Sequence, residues 1–336
     1  MMLNPRLVKN ERLNYSVVRR AMVTLSCSVL LGSAPVALAN KPMAQNSAQP
    51  LAKTTAKYKI GGAYWCRRLP AFVSKLDLKQ PVAIDTAQSR FPGVVVREVK
   101  AQQRLYRHPS WQMSGHTAST VMDSQGNIYV IPVPSVGLDT NPLAKRNTLY
   151  RIDAQTGVMS EFMALPLPED DGKRNPFGTV GLAFDCDTNS LYVSSVAGST
   201  PREQKGVIYQ IDVQARTILS QYKATDAIGL AVFNFANEKR LYFGSARTAS
   251  LASISLDAKG GFFGPAKFEL SLLDIKNGRG FPARKIRFAQ SRSGQYFMQV
   301  KDGKFDCRPN AETAQAHQGY HLKLDEGTQQ WRHHQQ

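Results

Sequence analysis

The side chains most able to do chemistry in this sequence are basic. Residues 278–292 read GRGFPARKIRFAQSR, which sets Arg279, Arg284, Lys285, Arg287 and Arg292 among Phe281 and Phe288. A guanidinium can grip two oxygens of one carboxylate or phosphate. Such a run can receive a phosphate, a lipid headgroup or an acidic glycan, although alternating Arg on a strand also describes a plain solvent-facing surface. His116 and Asp226 are the pair suited to proton transfer, because an imidazole oriented by a carboxylate can act as a general base. Asn175 and Thr179 add neutral hydrogen-bonding groups. No serine stands in a GxSxG setting, so nucleophile-elbow hydrolysis is not indicated. Glu169, Asp170 and Asp171 form an acidic run in a Pro-rich stretch, read either as oxygen ligands for calcium or as a solvated connection. The terminal His333-His334 pair reads as a frayed end.

Charge and leader narrow the setting. The 336 residues carry 43 Lys and Arg against 25 Asp and Glu, a formal net charge of +18. That excess favours anionic partners, whether a small anion, an acidic glycan or an envelope component, and by itself specifies no nucleic acid. Residues 1–39 read as a secretory signal peptide: a basic stretch, an uncharged run from Ala21, and the small-residue ending Ala37-Leu38-Ala39. The expected location is therefore periplasmic or secreted. The uncharged run barely reaches the ~20 residues of a membrane span and contains Pro35, and no later segment is long and apolar enough to span. Residues 40–57 lack any apolar period and read as a flexible segment. Residues 58–336 are expected to form a single domain, monomeric in solution. Cys27 leaves with the leader. Cys66, Cys186 and Cys307 remain, with no CxxC or Cys/His zinc spacing, so neither a disulfide scaffold nor a zinc site is expected.

The elements that must position these residues are strands. Four segments share one plan of apolar strand, polar turn and second strand: TASTVMDSQGNIYV (117–130), VGLAFDCDTNSLYV (180–193), IGLAVFNFANEKRLYF (228–243) and RKIRFAQSRSGQYFM (284–298). A second hairpin follows each, beginning at Asn147, Gly206, Ala252 and Gly319, and an earlier one, GVVVREVKAQQRLY, starts at Gly93 without a clear first half. Two hairpins per unit make a four-stranded antiparallel sheet, and repeated sheets around an axis make a β-propeller. Five units can be counted directly, and a sixth could hide in 58–92 or 251–282. The ends of such a ring must meet. Cys66 in the first ordered stretch and Cys307 in the last unit could form a disulfide there, the alternative being three free thiols.

VGLAFDCDTNSLYVSS followed by GVIYQID resembles the gluconolactonase/regucalcin-like and NHL-like group of six-bladed propellers, and NIYVIPV followed by TLYRIDAQTG repeats the likeness. The resemblance implies six blades and, for the lactonases of the group, a divalent cation on the axis. Its usual ligands precede the Gly that opens an inner strand. Here those places hold Val180 and Ile228, which offer no oxygen, so no cofactor is expected; a divalent cation would need Asp226 and Asn175, a few residues earlier, to substitute in displaced loops. In a propeller the loops entering the inner strands line one mouth of the axis. His116, Asn175, Thr179, Asp226, Arg279 and Arg284 fall in or next to those loops, with Arg287 three residues further along the same basic run. Two functions follow: an exported propeller that binds an anionic ligand through one face, or a lactonase or ester hydrolase acting at that mouth.

Overall fold

Period-two alternation and acidic turns make strands here almost without exception. The computed structural model describes residues 57–86, 91–99, 104–133, 139–168, 175–275, 277–305 and 318–334. Twenty strands run in chain order: β1 (Gly61–Gly62), β2 (Val82–Asp85), β3 (Val95–Glu98), β4 (Leu105–Tyr106), β5 (Thr117–Met122), β6 (Ile128–Pro132), β7 (Thr148–Ile152), β8 (Met159–Ala164), β9 (Thr179–Asp185), β10 (Ser190–Ser195), β11 (Val207–Asp212), β12 (Thr217–Lys223), β13 (Ala227–Asn234), β14 (Lys239–Ser245), β15 (Ser250–Leu256), β16 (Phe262–Ser271), β17 (Ala283–Gln290), β18 (Tyr296–Asp302), β19 (Gly319–Asp325) and β20 (Gln330–His333). They pair antiparallel into five sheets. Blade 1 is β2–β4, blade 2 is β5–β8, blade 3 is β9–β12, blade 4 is β13–β16 with β1 added at its inner edge, and blade 5 is β17–β20.

The protein is therefore an all-β propeller of five blades, the number counted directly from the hairpins. The six blades implied by the resemblance are not found among the described residues. The two stretches that could have hidden a sixth are used otherwise. Residues 251–282 hold the outer hairpin of blade 4, and 58–92 hold a crossing segment followed by β2. Blade 1 shows three strands among the described residues, with β2 and β4 at its edges. The leader (1–39) and nearly all of 40–57 lie outside the described residues.

The repeated acid has one physical role. Asp153, Asp212, Asp257 and Asp325 each end or directly follow a third strand, and each accepts two backbone N–H groups of the following turn through Oδ1. A carboxylate that satisfies turn amides fixes the hairpin locally. Repeated glycines serve contact between blades. A Cβ on Gly181 would lie 2.3 Å from the Ile228 carbonyl oxygen, and one on Gly229 would lie 2.7 Å from that of Ala283. Bare backbone at these points lets β9 sit against β13, and β13 against β17.

Four apolar cores fill the spaces between blades. Val94, Val96 and Tyr150 belong to the core of blades 1 and 2, Tyr129 and Phe184 to that of blades 2 and 3, and Tyr192 and Val232 to that of blades 3 and 4. Phe233, Tyr242, Phe288 and Trp331 stack between blades 4 and 5. Beneath blades 3 and 4, Lys239, fully buried, places its ammonium 2.6 Å from Asp185 Oδ2 and 2.9 Å from Asp187 Oδ2. Five blades have five interfaces, yet among the described residues no apolar core joins blade 5 to blade 1.

Residues 58–72 cross the end of the ring where the inner hairpins turn. Tyr58 and Ala63 donate backbone N–H groups to Ala236 and Val232 of blade 4. Tyr64 Oη donates to the Phe288 carbonyl of blade 5 (2.6 Å) and accepts from Phe288 N–H (2.7 Å). Cys66 is disulfide-bonded to Cys186, in the β9–β10 turn of blade 3, with Cα atoms 6.0 Å apart. The expected Cys66–Cys307 bond is thus corrected: the crossing segment carries Cys66 to blade 3 rather than to the last unit, and Cys307 lies outside the described residues. Phe72 N–H then donates to the Ala154 carbonyl of blade 2.

Candidate anion-binding face

At the opposite end of the ring, the residues expected to line an axial mouth mostly fasten backbone. His116 is buried; its N–H donates to Asn141 Oδ1 (2.9 Å), its carbonyl accepts from Asn141 Nδ2 and Val133 N, and its ring makes no hydrogen bond to a described residue. Asn175 Nδ2 donates to the carbonyls of Val196 and Ser199, while its Oδ1 accepts from Phe177 N. Thr179 donates to the Arg146 carbonyl. Asp226 accepts from Ser199 Oγ (2.5 Å) and Gly206 N (2.9 Å) through Oδ1, and from Arg247 Nε (2.6 Å) through Oδ2. No hydrogen bond joins Asp226 to His116. A small apolar cluster from four blades, including Val133, Phe177, Val196, Ala246 and Phe305, gathers at this end, with the Phe177 and Phe305 rings 5.1 Å apart.

The expected arginines divide into two groups. Arg279 Nη2 donates to Asp302 Oδ1 at 2.6 Å, and Phe281 lies below its guanidinium. Burial alone would raise the pKa of Asp302, but hydrogen bonds from Arg279, Gln318 N–H and Tyr320 hold it below the ordinary carboxylate value. Arg284 and Arg287 have no such partner among the described residues. Desolvation lowers both pKa values, helped at Arg287 by the charge of Arg67.

Arg287 belongs to a wider arrangement. On β17–β20 one face buries Ile286, Phe288, Met298, Val300, Leu322, Leu324 and Trp331 against blade 4. The other face turns toward blade 1 and is left open by the described residues. Register places Lys285 opposite Lys301, Arg287 opposite Gln299 and then His321, and Phe297 opposite Lys323 and then Arg332. Lys285, Arg287, Gln299, Lys301, Lys323 and Arg332 are exposed. Arg332 pairs with Asp325 at 2.9 Å, but the other cations of this face make no ion pair among the described residues. Like charges directly opposite on a sheet are destabilising. Desolvation, then repulsion from Arg287 and Lys301, lowers the pKa of Lys285 to about 8, with the more remote Asp85 of blade 1 pulling the other way.

A shallow pocket of about 230 Å³ lies on this face, lined by residues that include Gln290, Phe297, Gln299, His321 and His334. The Phe297 and His334 rings are 5.6 Å apart. The sequence patch reached Lys285 and Arg287 but missed Lys301, Lys323, His321 and Phe297. The signal was there in FMQVKD and YHLKLD, which alternate apolar and polar, whereas VGLAFD and IGLAVFN are nearly continuous apolar runs. Alternation marks a sheet covered on one face only, and a continuous run marks one covered on both. Among the described residues no group of three or more His, Cys, Asp or Glu gathers as a metal ion would need. The run 169–171 lies outside them. No described helix is long and apolar enough to cross a membrane.

No known protein family and no curated protein matches the chain. Solved structures match it only at low similarity. A protein described as Bacteroides ovatus xyloglucan PUL GH43B is 10% identical at a TM-score of 0.42, over 68% of this chain and 42% of its own. An exo-β-1,3-galactanase from Clostridium thermocellum is 11% identical at 0.43, over 74% and 58%. A glucose dehydrogenase is 14% identical at 0.37, over 72% and 75%. The chain thus spans about two fifths of the first of these proteins. At such identities the neighbours say nothing of this chain's chemistry, and the propeller assignment rests on its own strand pairing.

Proposed function

We propose that this chain is an exported five-bladed propeller that binds an anionic partner along the open face of blade 5. One observation carries the reading: Lys285, Lys301, Arg287 and Lys323 stand together on a sheet face with no ion pair among the described residues. Concentrated like charge that raises the energy of the free protein is relieved when an anion arrives. The leader-like residues 1–39 support export, which N-terminal sequencing of the mature protein checks. The reading involves no cofactor, no specific nucleic acid and a monomeric chain.

The lactonase or ester hydrolase reading has less support. It needs His116 and Asp226 to act together, and Asp226 is held by Ser199, Gly206 and Arg247 instead. Turnover of a lactone or aryl ester that disappears with His116→Ala would restore it.

The test of binding is affinity for a soluble polyanion, dextran sulfate, measured at several salt concentrations. Affinity should fall steeply as salt rises, because exposed charges are screened over about 10 Å at 0.1 M. The pair Arg287→Glu and Lys323→Glu should lower it by about tenfold or more, the change expected when attraction becomes repulsion at two contacts. Binding that ignores both salt and charge reversal would sink the proposal.

A further inference from the structure

The open face offers more than charge. Beside Arg287 and Lys323 it presents Phe297, the free amide of Gln299 and the imidazoles of His321 and His334 around one pocket. We propose that the partner is an acidic polysaccharide, one sugar ring resting against Phe297 and His334 while carboxylates on neighbouring units meet Arg287 and Lys323. This rests on the preceding reading and narrows it to one ligand class.

Three observations support the narrowing. The pocket, at about 230 Å³, falls below the range of about 300–1,000 Å³ that encloses whole drug-sized ligands, and so suits one ring of a longer chain. The cations stand on a lattice set by the sheet itself, about 4.8 Å between strands and about 7 Å between alternate residues along one. A polymer bearing a carboxylate on each unit can meet several of them at once. The polar groups are donors and acceptors at short reach, as hydroxyl-rich rings require. The Phe297 ring beside them offers the apolar contact that a sugar ring's C–H face prefers.

A lipid surface fits less well. The two most exposed large apolar side chains among the described residues, Phe263 and Phe268, lie on β16 of blade 4 and not on this face. A nucleic acid would share the charge but would stack bases, and it serves as one arm of the test.

The experiment titrates the full mature chain with polygalacturonate oligomers, neutral dextran, poly-L-glutamate, vesicles containing phosphatidylglycerol, and a single-stranded oligodeoxynucleotide. The expected result is tightest binding to polygalacturonate and none to dextran. Phe297→Ala and Gln299→Ala should each weaken polygalacturonate by about five- to tenfold while leaving poly-L-glutamate unchanged and the melting temperature close to wild type. Gln299 is exposed, so its variant stays informative if Phe297→Ala unfolds. Equal affinity for poly-L-glutamate, which has carboxylates but no sugar rings, with no effect of either variant would overturn the glycan assignment and leave the anion reading standing. Preference for vesicles or DNA would do the same. No binding to any polyanion would overturn both.

Discussion

Lys285 stands among like charges, with Lys301 directly across the strand pair and Arg287 two positions along. Its ammonium is disfavoured by desolvation and then by those neighbours, so its pKa falls to about 8, against about 10.4 in an unfolded chain. The sign follows from proton counts. Between about pH 8 and 10.4 the unfolded chain holds a proton on Lys285 that the folded chain has released, so stability from this group rises with pH across that window. Below pH 8 the repulsion is fully present. Melting curves of wild type and Lys285→Met from pH 7 to 10.5 should converge toward the alkaline end, with the variant ahead at pH 7. Identical pH dependence in the two proteins would contradict the assignment. An anion that binds this face favours the ammonium, so affinity should decline as pH rises through about 8 and should not do so in Lys285→Met. Other residues singled out by type proved to serve the backbone. Asp226 and Asn175 carry groups that could act on a substrate, yet their oxygens and nitrogens are taken up by loop amides, carbonyls and Arg247. Residue type gives what a group can do, and only its neighbours decide what it does.

At the scale of elements, the hairpins followed the sequence closely. Each of the four inner pairs and five outer pairs read from alternation and turn residues is present, although β16 runs on to Ser271, well past the Phe263 that ended its segment, and β18 runs to Asp302 rather than Met298. The reason is local: a period of two and an acid that caps its own turn need nothing distant. The glycines in VGLAF and IGLAV report something else, the approach of two inner strands. Gly181→Ala should destabilise by about 1–3 kcal/mol, the usual cost of forcing a carbon into filled space. Denaturant unfolding measures it, and a loss below ~0.5 kcal/mol would show that blades 3 and 4 can part without penalty. The same local signals left the blade count open. A likeness resting on strand motifs implied six blades, and those motifs are what any blade needs, whatever the number in the ring.

At the scale of the whole molecule, two features depend on which blades meet. The first is the segment that crosses one end of the ring and is bonded to blade 3 through Cys66 and Cys186, 120 residues apart. Closing so long a loop in the unfolded chain should contribute about 2–4 kcal/mol. Cys66→Ser with Cys186→Ser should lower stability by that amount in non-reducing buffer, and reductant should do the same to wild type and nothing further to the variant. The second feature is the interface between blades 5 and 1, which among the described residues lacks the apolar core found at the other four and exposes the cationic face. By itself the sequence determined that the chain makes antiparallel hairpins with acid-capped turns, repeated into sheets, with a basic strand near residue 285. Tertiary structure alone decided the number of blades, the partner of Cys66, the engagement of Asp226 and the assembly of Lys285, Arg287, Lys301 and Lys323 on one open face. Strand period and turn chemistry act within about ten residues, whereas these outcomes depend on contacts between segments brought together only when the ring closes.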